Sequence, residues 1–434
     1  MATARRVSVR PAAVRILYTN NTLAHPAGTE LSLTDACLAM QARGHRVAAF
    51  SPQLGEIAER LKAREIPVCD RIADVPWVPD VIHGHHEWET SLGALNWPER
   101  PVISFCRGPY LWQEAPCRLP NVVLHAAVDE ECVRRLVEQE GVPSAKIRLI
   151  LNGVDLDRFT RRPPLPDRPT RAAIVSNYAS EENFVPAVRE ACQAAGLDLT
   201  VIGSAAGNRV AQPETVLWQF DVVFAKGKAA LEALATGCAV VVCDSAGLGP
   251  LVNAENLQAL RRLSFGNPCM TEPITVAAVA ARLAAYDAAA ASAAADLVRG
   301  TCGLSHTIDA LDGLYTEALS LPVPSVSGAQ LASQMATWLT SRTLAYKLGR
   351  KIQEIWTDAL PDAPNHIITA ADNDRILSDF TSHHRKLRDL RQKVESLNTR
   401  LTEAKTRIER LKEGSRPTGK GLFGFLRGRS PGKE

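Results

Sequence analysis

The sequence lacks the features that mark disulfide-stapled secreted proteins and membrane-spanning helices. Its ten cysteines are scattered from Cys37 to Cys302 without a C-x-x-C pair, which favours reduced thiols over a disulfide framework or a zinc ribbon. Because no apolar segment follows the arginines of residues 1–11, no signal peptide is predicted. The longest apolar stretch, residues 276–298, is interrupted by charged side chains and is therefore expected to form a helix of a soluble domain.

Net charge and aromatic content are also low. The 434 residues carry a formal net charge of +3, and 5% of them are aromatic, but 46% are hydrophobic, which excludes bulk disorder. A chain of this length is expected to form two or three domains. Residues 376–434 contain 15 Lys and Arg against 7 Asp and Glu, whereas the remainder contains 35 against 40. The basicity therefore belongs to the tail, and no nucleic-acid partner is expected.

Short apolar runs of strand type alternate with helical patterns through the first 320 residues. Val14 to Thr19 is followed by a helical pattern that Gly44 ends, and the rhythm then recurs along the chain. Such alternation is typical of a parallel sheet with helices on both faces. We therefore predict an α/β fold with two doubly wound Rossmann-like domains, residues 1–160 and residues 161–321. The proline-rich residues 161–169 read as a stiff connector between them.

A helical extension is predicted beyond the second domain. Residues 325–360 are predicted to form an amphipathic helical segment. Residues 376–413 repeat apolar side chains at spacings of four and three over about five heptads. This repeat predicts an oligomerising coiled coil, the alternative being one amphipathic helix packed on the body. The basic tail, residues 414–434, is expected to be disordered. It interleaves aromatic and cationic side chains, which is compatible with weak contact with a membrane surface.

The second domain contains a candidate anion site. A predicted strand is followed by Lys226, Gly227 and Lys228 and then by a helix. Amide groups at a helix N-terminus together with two lysines can hold an anion. Glu232, about one turn into that helix, is suited to accept hydrogen bonds from vicinal ribose hydroxyls. A second glycine turn at Gly247 is expected to open another helix.

Six short segments occur in an order that resembles one enzyme family. They are GTE (Gly28 to Glu30), RGHRV (Arg43 to Val47), PDVIHGHH (Pro79 to His86), PVISFCRG (Pro101 to Gly108), NGVDLDRF (Asn152 to Phe159) and ALEALATGCAVVVCD (Ala230 to Asp244). Together they resemble the family 4 glycosyltransferases of the GT-B fold, over about residues 12–321.

This resemblance implies a substrate pair and a chemistry. A UDP- or GDP-sugar donor would lie on the second domain, and a glycan or lipid-linked acceptor would be met mainly by the first. Transfer would retain the anomeric configuration and need no metal ion or other cofactor. Glu232 would bind the donor ribose, and Gly28 would let the backbone approach the donor diphosphate without a Cβ in the way. Cationic side chains and amide dipoles would then stabilise the leaving phosphate.

Three departures from the family pattern change the expected site. Phe224 stands where the family has its first glutamate, and Arg107 stands where a histidine is expected. Residues 176–184 contain no Arg or Lys, although the family has a basic pair there. We therefore expect Arg107 and Arg209 to share the cationic role with the two lysines that flank Gly227.

Histidines cluster after another predicted strand. Since no distant Cys or His motif accompanies His83, His85 and His86, a zinc site is not favoured. At least one of them is expected to line the acceptor cleft, the others being structural hydrogen-bonding groups. His85 and Arg107 are the predicted catalytic residues, and no metal ligand is predicted.

Other polar residues have two interpretations each. Glu30 either contacts an acceptor hydroxyl or serves the dipole of the helix that it opens. Asp129 is expected to cap a helix, and Asn152 to shape the turn between the domains.

Two further functions stay open. The body can be a degenerate glycosyltransferase fold that acts as a binding or assembly module through its coiled coil, as the missing glutamate and basic pair would suggest. It can also be another GT-B enzyme, such as a nucleotide-sugar epimerase. The expected setting is cytoplasmic, with a peripheral location at the inner membrane face left open, and a homo-oligomer is expected through the coiled coil.

Overall fold

The structure is a computed structural model that describes residues 13–325 and the single residues 328, 332, 333, 336, 339 and 340. Both predicted Rossmann-like domains lie almost wholly within this part of the chain. The predicted coiled coil of residues 376–413 and the basic tail of residues 414–434 lie outside the described residues. So does nearly all of the predicted amphipathic segment, residues 325–360.

The first domain is built on a parallel sheet. Its seven strands are β1 (Arg15–Thr19), β2 (Arg46–Phe50), β3 (Val68–Cys69), β4 (Val81–His85), β5 (Val102–Cys106), β6 (Val122–Ala127) and β7 (Ile147–Leu149). Their order is β3-β2-β1-β4-β5-β6-β7, and every neighbouring pair is parallel. The strands are continuous apolar runs because both faces of the sheet are covered. Along β1, Ile16 and Tyr18 join the core on one face and Leu17 joins the core on the other.

The second domain has a smaller sheet. Its strands are β8 (Arg171–Val175), β9 (Asp198–Ile202), β10 (Val222–Ala225), β11 (Ala239–Asp244) and β12 (Gly247–Leu251). The order is β12-β11-β10-β8-β9, with β12 antiparallel to β11 and the other pairs parallel. Along β10, Val223 and Phe224 enter the cores on opposite faces. The predicted fold class, two doubly wound α/β domains, is confirmed for the described residues.

Ten α-helices surround the sheets in the part of the chain that the structure describes. They are α1 (Gly28–Ala42), α2 (Glu56–Lys62), α3 (Glu87–Asn96), α4 (Glu130–Arg134), α5 (Val185–Ala194), α6 (Gly227–Thr236), α7 (Leu257–Arg262), α8 (Val276–Ala284), α9 (Ala288–Thr301) and α10 (Leu304–Ser320). Single 3₁₀ turns occur at Ile72–Asp74, Trp112–Glu114, Ser144–Lys146, Pro213–Thr215, Leu217–Gln219 and Asn267–Cys269, and a π-helical turn, Arg135–Gln139, continues α4. Asp129 caps α4 as predicted, because its carboxylate accepts a hydrogen bond from the backbone N–H of Cys132 at 2.8 Å.

One local prediction was wrong, and another predicted helix is interrupted. The turn at Gly247 opens the edge strand β12 and not a helix, and β12 pairs with β11 from its first residue. The apolar stretch of residues 276–298 is divided between α8 and α9, which are bent by 84° at the break. Asp287 causes the new start, since its carboxylate accepts from the backbone N–H groups of Ala289 and Ala290.

Membrane-spanning potential is limited within the described helices. No single one of them is long and apolar enough to cross a bilayer, and only α8 and α9 taken together pass by length and composition. Their buried side chains, including Val279 and Val298, pack into the cores of the second domain.

Helix α10 returns to the first domain. Its residues Ile308, Leu311 and Tyr315 are buried in the same core as Ile16 and Tyr18 of β1. Ion pairs hold it at both ends of that contact: Arg43 with Asp309 at 2.5 Å, and Arg148 with Glu317 at 2.5 Å. The predicted second domain of residues 161–321 thus contains a helix whose packing partner is the first sheet.

The carboxyl ends of the two sheets face one another across a cleft. Lys228, at the start of α6, lies 2.7 Å from Asp35 of α1. Arg209 donates to the carbonyl oxygen of Pro26 at 3.0 Å. Ligands of open α/β sheets bind outside the carboxyl ends of the strands, so this cleft is where a ligand is expected.

Close packing at Gly84 sets the course of β4 between the two cleft histidines. A Cβ at this position would lie 2.3 Å from Oγ1 and Cγ2 of Thr90. We expect Gly84→Ala to lower the free energy of unfolding by about 1–3 kcal/mol, as overpacking does. Thr90→Ala should recover part of the loss in the double variant, because it removes the two nearest clashing atoms and leaves only Cβ of Thr90, 2.7 Å away. Denaturant titration measures both effects.

The matched control is Gly313→Ala on α10, where a Cβ would meet no atom within 4 Å. It should stabilise the protein by about 0.5–1 kcal/mol, because alanine is the better helix former. Equal stability of Gly84→Ala and the parent protein would show that β4 can shift to make room.

Candidate active site

Strand ends deliver polar side chains to the cleft from both domains. The first domain supplies His83 and His85 from β4 and Arg107 just after β5, and the second supplies Lys228 at the start of α6. Asn152, in the segment between the domains, lines the same cleft. This convergence follows from topology, because parallel strands all end at one edge of their sheet.

Lys226 occupies the N-cap position of α6, and the carboxylate of Asp244 neutralises its charge. Its ammonium group lies 2.6 Å from Oδ2 of Asp244, at the end of β11, and 5.1 Å from the centre of the Tyr178 ring. The other oxygen of Asp244 accepts from the Ser176 hydroxyl at 2.7 Å. A buried carboxylate thus fixes the lysine at the carboxyl edge of the second sheet.

Lys228 is neutralised in the same way, but across the cleft. Its partner Asp35 belongs to the other domain, and both side chains are mostly buried. The predicted lysine pair is therefore present at the helix N-terminus, with a carboxylate on each lysine. An incoming anion has to displace Asp35 or Asp244 from its lysine or share that lysine with it.

Glu232 lies one turn further along α6, and its carboxyl group is disfavoured as an anion. Burial raises its pKa to about 7, and the nearby carboxylates of Asp35 and Glu214 act in the same direction. Lys228 and Arg158 oppose this rise. No hydrogen bond to the carboxylate is present among the described residues, so both of its oxygens are available to a ligand.

The cleft histidines are neutral and linked. Nε2 of His83 lies 3.0 Å from Nε2 of His85, and the ring of His83 stacks on Phe105 with centroids 3.8 Å apart. Burial, helped by the charge of Arg107, lowers the pKa of both histidines well below the usual value. Nδ1 of His85 has no hydrogen-bond partner within the described residues.

His86 contacts the loops after β1 and β5, and its ring lies edge-on to that of His85 with centroids 6.4 Å apart. Its Nδ1 accepts from the backbone N–H of Asn21 at 3.3 Å, and its Nε2 lies 3.4 Å from Glu114. The described residues contain no group of three or more His, Cys, Asp or Glu placed to hold a metal ion.

Arg107 joins the first domain to the connecting segment. Its guanidinium donates to Oδ1 of Asn152 at 3.0 Å, and its backbone N–H donates to Glu114 at 2.8 Å. Burial lowers the pKa of Arg107 from its usual value. Among the described ion pairs none involves this guanidinium, so it differs from both lysines in having an amide oxygen as its partner.

The loop that leads into α1 at Gly28 contacts Arg209 of the second domain. Gly28 is exposed at the start of α1, and a Cβ there would meet no protein atom within 4 Å. The guanidinium of Arg209 donates a hydrogen bond to the carbonyl oxygen of Pro26, two residues before Gly28. The glycine therefore satisfies no packing need inside the protein, and its predicted role toward a diphosphate stays a prediction.

Glu30 has the position of a first-turn acid, and its contact with an acceptor hydroxyl stays a prediction. It lies in the first turn of α1, where an acid favours the helix dipole, and it is buried and accepts hydrogen bonds from Asn20 and Thr29.

Several cleft residues escaped sequence reasoning. Asp35 and Tyr315 lie inside helices without any motif, and Tyr178 lies in a segment notable only for its missing cations. Asp244 at the end of a buried strand carried a usable signal, since an acid at a carboxyl strand end commonly faces a site. Its ion pair with Lys226 forms because β10 and β11 lie side by side in the sheet, which no local sequence pattern shows.

Comparison with known proteins supports the family resemblance for the first domain. Residues 26–158 match the family model described as Glycosyltransferase Family 4. No curated protein sequence matches the chain. A glycosyltransferase from Rickettsia africae superposes with a TM-score of 0.54 at 13% identity, covering 71% of this chain and 99% of that one.

A second solved structure shows the same fold. HepE of Anabaena, in complex with UDP-glucose, superposes with a TM-score of 0.52 at 14% identity, covering 70% of this chain and 100% of HepE. HepE in complex with UDP and glucose gives a TM-score of 0.52 at 15% identity, covering 71% of this chain and 100% of HepE. The chain has the GT-B glycosyltransferase fold.

The raised pKa of Glu232 predicts a stability cost that depends on pH. A carboxyl whose pKa is higher in the folded protein binds its proton more tightly there, so stability falls as pH rises from about 4.5 to about 7. Glu232→Gln removes this cost. Compared with the parent protein, the free energy of unfolding of the variant should gain up to about 3 kcal/mol more at pH 8 than at pH 5. Thermal unfolding of both proteins at the two pH values measures it.

Glu138→Gln, at an exposed glutamate, is the control and should show no such pH-dependent gain. A Glu232→Gln protein that is equally destabilised at both pH values would mean that the carboxylate is favourably placed in the folded state.

Proposed function

We propose that the protein is a glycosyltransferase that moves a sugar from a UDP- or GDP-sugar to a glycan or lipid-linked acceptor, retaining the anomeric configuration and using no metal ion. The observation that carries this proposal is the cleft itself. It joins the N-terminal end of α6, with Lys228, to the strand-end residues His85 and Arg107 of the other domain.

The second domain supplies the elements of a donor site. Amide groups at the start of α6 and the ammonium groups of Lys226 and Lys228 suit a diphosphate. Glu232 has two unpartnered carboxylate oxygens one turn away, which suits the vicinal hydroxyls of a ribose. The HepE structures, which contain UDP-glucose or UDP and glucose, have the same fold and support a nucleotide sugar as the ligand.

Two ion pairs support the proposal that a diphosphate binds here without a divalent ion. In the free protein Asp35 holds Lys228 and Asp244 holds Lys226. When a diphosphate binds, each lysine gains a phosphate oxygen as partner. Because the ion pairs already keep both ammonium groups mostly out of water, binding does not have to desolvate them. The leaving diphosphate is then stabilised by cations and dipoles that are already in place.

The first domain supplies the acceptor side. Arg107 contributes a cation that is not ion-paired within the described residues, and Asn152 fixes its guanidinium. His85 contributes a neutral ring nitrogen. Gly28 and Arg209 lie at the edge of the cleft, where the chain of α1 approaches the second domain. Closure of the cleft would exclude water, since donor hydrolysis competes with transfer.

One observation favours the alternative, a binding or assembly module. Phe224, at the position of the first family glutamate, is 0% exposed and belongs to the core of the second domain. The carboxylate of the first family glutamate is therefore absent, and a buried phenyl ring of the core occupies its position. Nucleotide-sugar binding without turnover across a panel of donors and acceptors would support the module.

Donor binding tests the proposed function directly. Calorimetry with UDP, GDP and their sugars should reveal one site on the full chain. Glu232→Ala should weaken it by about 1–3 kcal/mol, the scale of lost hydrogen bonds to a charged acceptor. Glu138→Ala is the control and should leave affinity unchanged. If no nucleotide binds, the proposed function is wrong.

The ion pair between Lys228 and Asp35 predicts a variant with tighter binding. Asp35→Asn removes the anion that competes with phosphate for Lys228, so UDP affinity should rise about two- to fivefold, the scale of a partly exposed ion pair. Lys228→Ala should lower it. Calorimetry at fixed ionic strength measures both.

Glu130→Gln is the matched control. It breaks another ion pair between the domains, that of Glu130 with Arg262, in which both partners are exposed. It should not change UDP affinity. Weaker UDP binding by Asp35→Asn would show instead that Asp35 organises the site.

A further inference from the structure

A buried row of four polar side chains leads from the core of the first domain to the cleft. The hydroxyl oxygens of Tyr18 and Tyr315 are 2.8 Å apart, and the Tyr315 hydroxyl lies 2.7 Å from Nδ1 of His83. Nε2 of His83 then lies 3.0 Å from Nε2 of His85. Each of these residues is at most 2% exposed, so water does not complete the row.

Each contact in this row needs one hydrogen, and one hydrogen on each hydroxyl and each neutral ring allows three arrangements. The contact between two ring nitrogens excludes protonation of both, because two N–H groups would then face each other. Both rings are neutral, since burial lowers their pKa values well below the usual value. Every neutral ring carries one hydrogen, on Nδ1 or on Nε2.

In the first direction, hydrogens run toward the cleft. The Tyr18 hydroxyl donates to Tyr315, the Tyr315 hydroxyl donates to Nδ1 of His83, and Nε2–H of His83 donates to Nε2 of His85. The remaining hydrogen of His85 then lies on Nδ1. Within the described residues, the Nδ1–H of His85 is the one hydrogen of the row without a protein acceptor.

In the second direction, hydrogens run toward the core. His85 donates from Nε2, His83 donates from Nδ1 to Tyr315, and Tyr315 donates to Tyr18. The hydroxyl hydrogen of Tyr18 then has no acceptor among the described contacts, in a fully buried position. A bare ring nitrogen of His85 is left over as well.

In a third arrangement Tyr18 and His83 both donate to Tyr315, which leaves the Tyr315 hydroxyl hydrogen and Nδ1 of His85 without partners. The first direction leaves one buried group without a partner, Nδ1–H of His85, whereas each alternative leaves two. Because every unsatisfied buried group is costly, the first direction is favoured.

We infer that Tyr18, Tyr315 and His83 hold His85 in the Nδ1–H tautomer, so that His85 presents a hydrogen-bond donor to a ligand oxygen in the cleft. The oxygen is a carbohydrate hydroxyl or a phosphoryl oxygen, which offer the same acceptor chemistry. Tyr18, Tyr315 and His83 are positioning residues. Because Nδ1 then has no free lone pair, His85 does not act as a base through this nitrogen.

The tautomer is a property of the free protein, whereas the identity of the ligand oxygen rests on the proposed function. Nitrogen NMR of the full chain labelled with ¹⁵N-histidine reports which ring nitrogen is protonated, and His85→Gln assigns the signal. We expect His85 protonated at Nδ1 and His83 at Nε2. Protonation of His85 at Nε2, or at both nitrogens, overturns the inference.

Two phenylalanine variants separate positioning from packing. Tyr315→Phe removes the hydroxyl that makes Nδ1 of His83 an acceptor, so His85 should become a mixture of tautomers. Tyr18→Phe removes a hydroxyl of the same size from the same core, but Tyr315 still donates to His83, so the Nδ1–H tautomer should persist. A Tyr315→Phe protein that keeps the pure Nδ1–H form overturns the inference. If Tyr315→Phe does not fold, Tyr18→Phe decides: loss of the Nδ1–H tautomer of His85 in that variant overturns the inference.

Ligand addition then identifies the oxygen. A shift of the Nδ1 signal with UDP-glucose but not with UDP indicates a carbohydrate oxygen, and a shift with both indicates a phosphoryl oxygen. UDP-glucose that binds by calorimetry without moving this signal overturns the ligand contact and leaves the proposed function standing. If no nucleotide binds, the proposed function fails, and the tautomer is still judged on the free protein.

Discussion

The candidate site depends on one geometric constraint: all parallel strands of a sheet end at the same edge. In each domain that edge collects the polar residues that follow β4, β5, β10 and β11. The two edges face each other, so residues far apart in sequence become neighbours, as Asp35 and Lys228 do. The ion pair of Lys228 with Asp35 requires this facing arrangement, whereas the Lys226–Asp244 pair and the histidine row each form within one domain.

Charge compensation is the second common feature of the cleft. Lys226, Lys228 and Arg158 each lie beside a carboxylate, of Asp244, Asp35 and Glu214 respectively. A cluster of unpaired cations would repel itself and destabilise the folded state in the absence of ligand. Pairing keeps the cations positioned at a moderate cost, and the carboxylates become the competitors of an incoming phosphate. Burial is the main cause of the raised pKa of Glu232, and the carboxylates of Asp35 and Glu214 add to it.

Much of the fold was predictable because it depends on local pattern. Apolar runs of strand type, such as that of β1, are buried on both faces, and Asp129 caps its helix as its residue type suggests. The turn at Gly247 was predicted wrongly because a glycine turn is compatible with either a helix or a strand after it. The choice is made by pairing with β11, which no local pattern contains.

The candidate site was predictable only where motifs carried it. Lys226, Lys228 and Glu232 follow one another in a short segment, and the structure places them together on α6. Their acidic partners and the tyrosine partners of His83 come from distant elements, so only the three-dimensional fold reveals them. The return of α10 has a further consequence for synthesis. The first domain leaves the ribosome well before the helix that supplies Tyr315 and completes its core, so its apolar face waits uncovered until the second domain has been made. The two halves are therefore not independent folding units, although each has its own sheet.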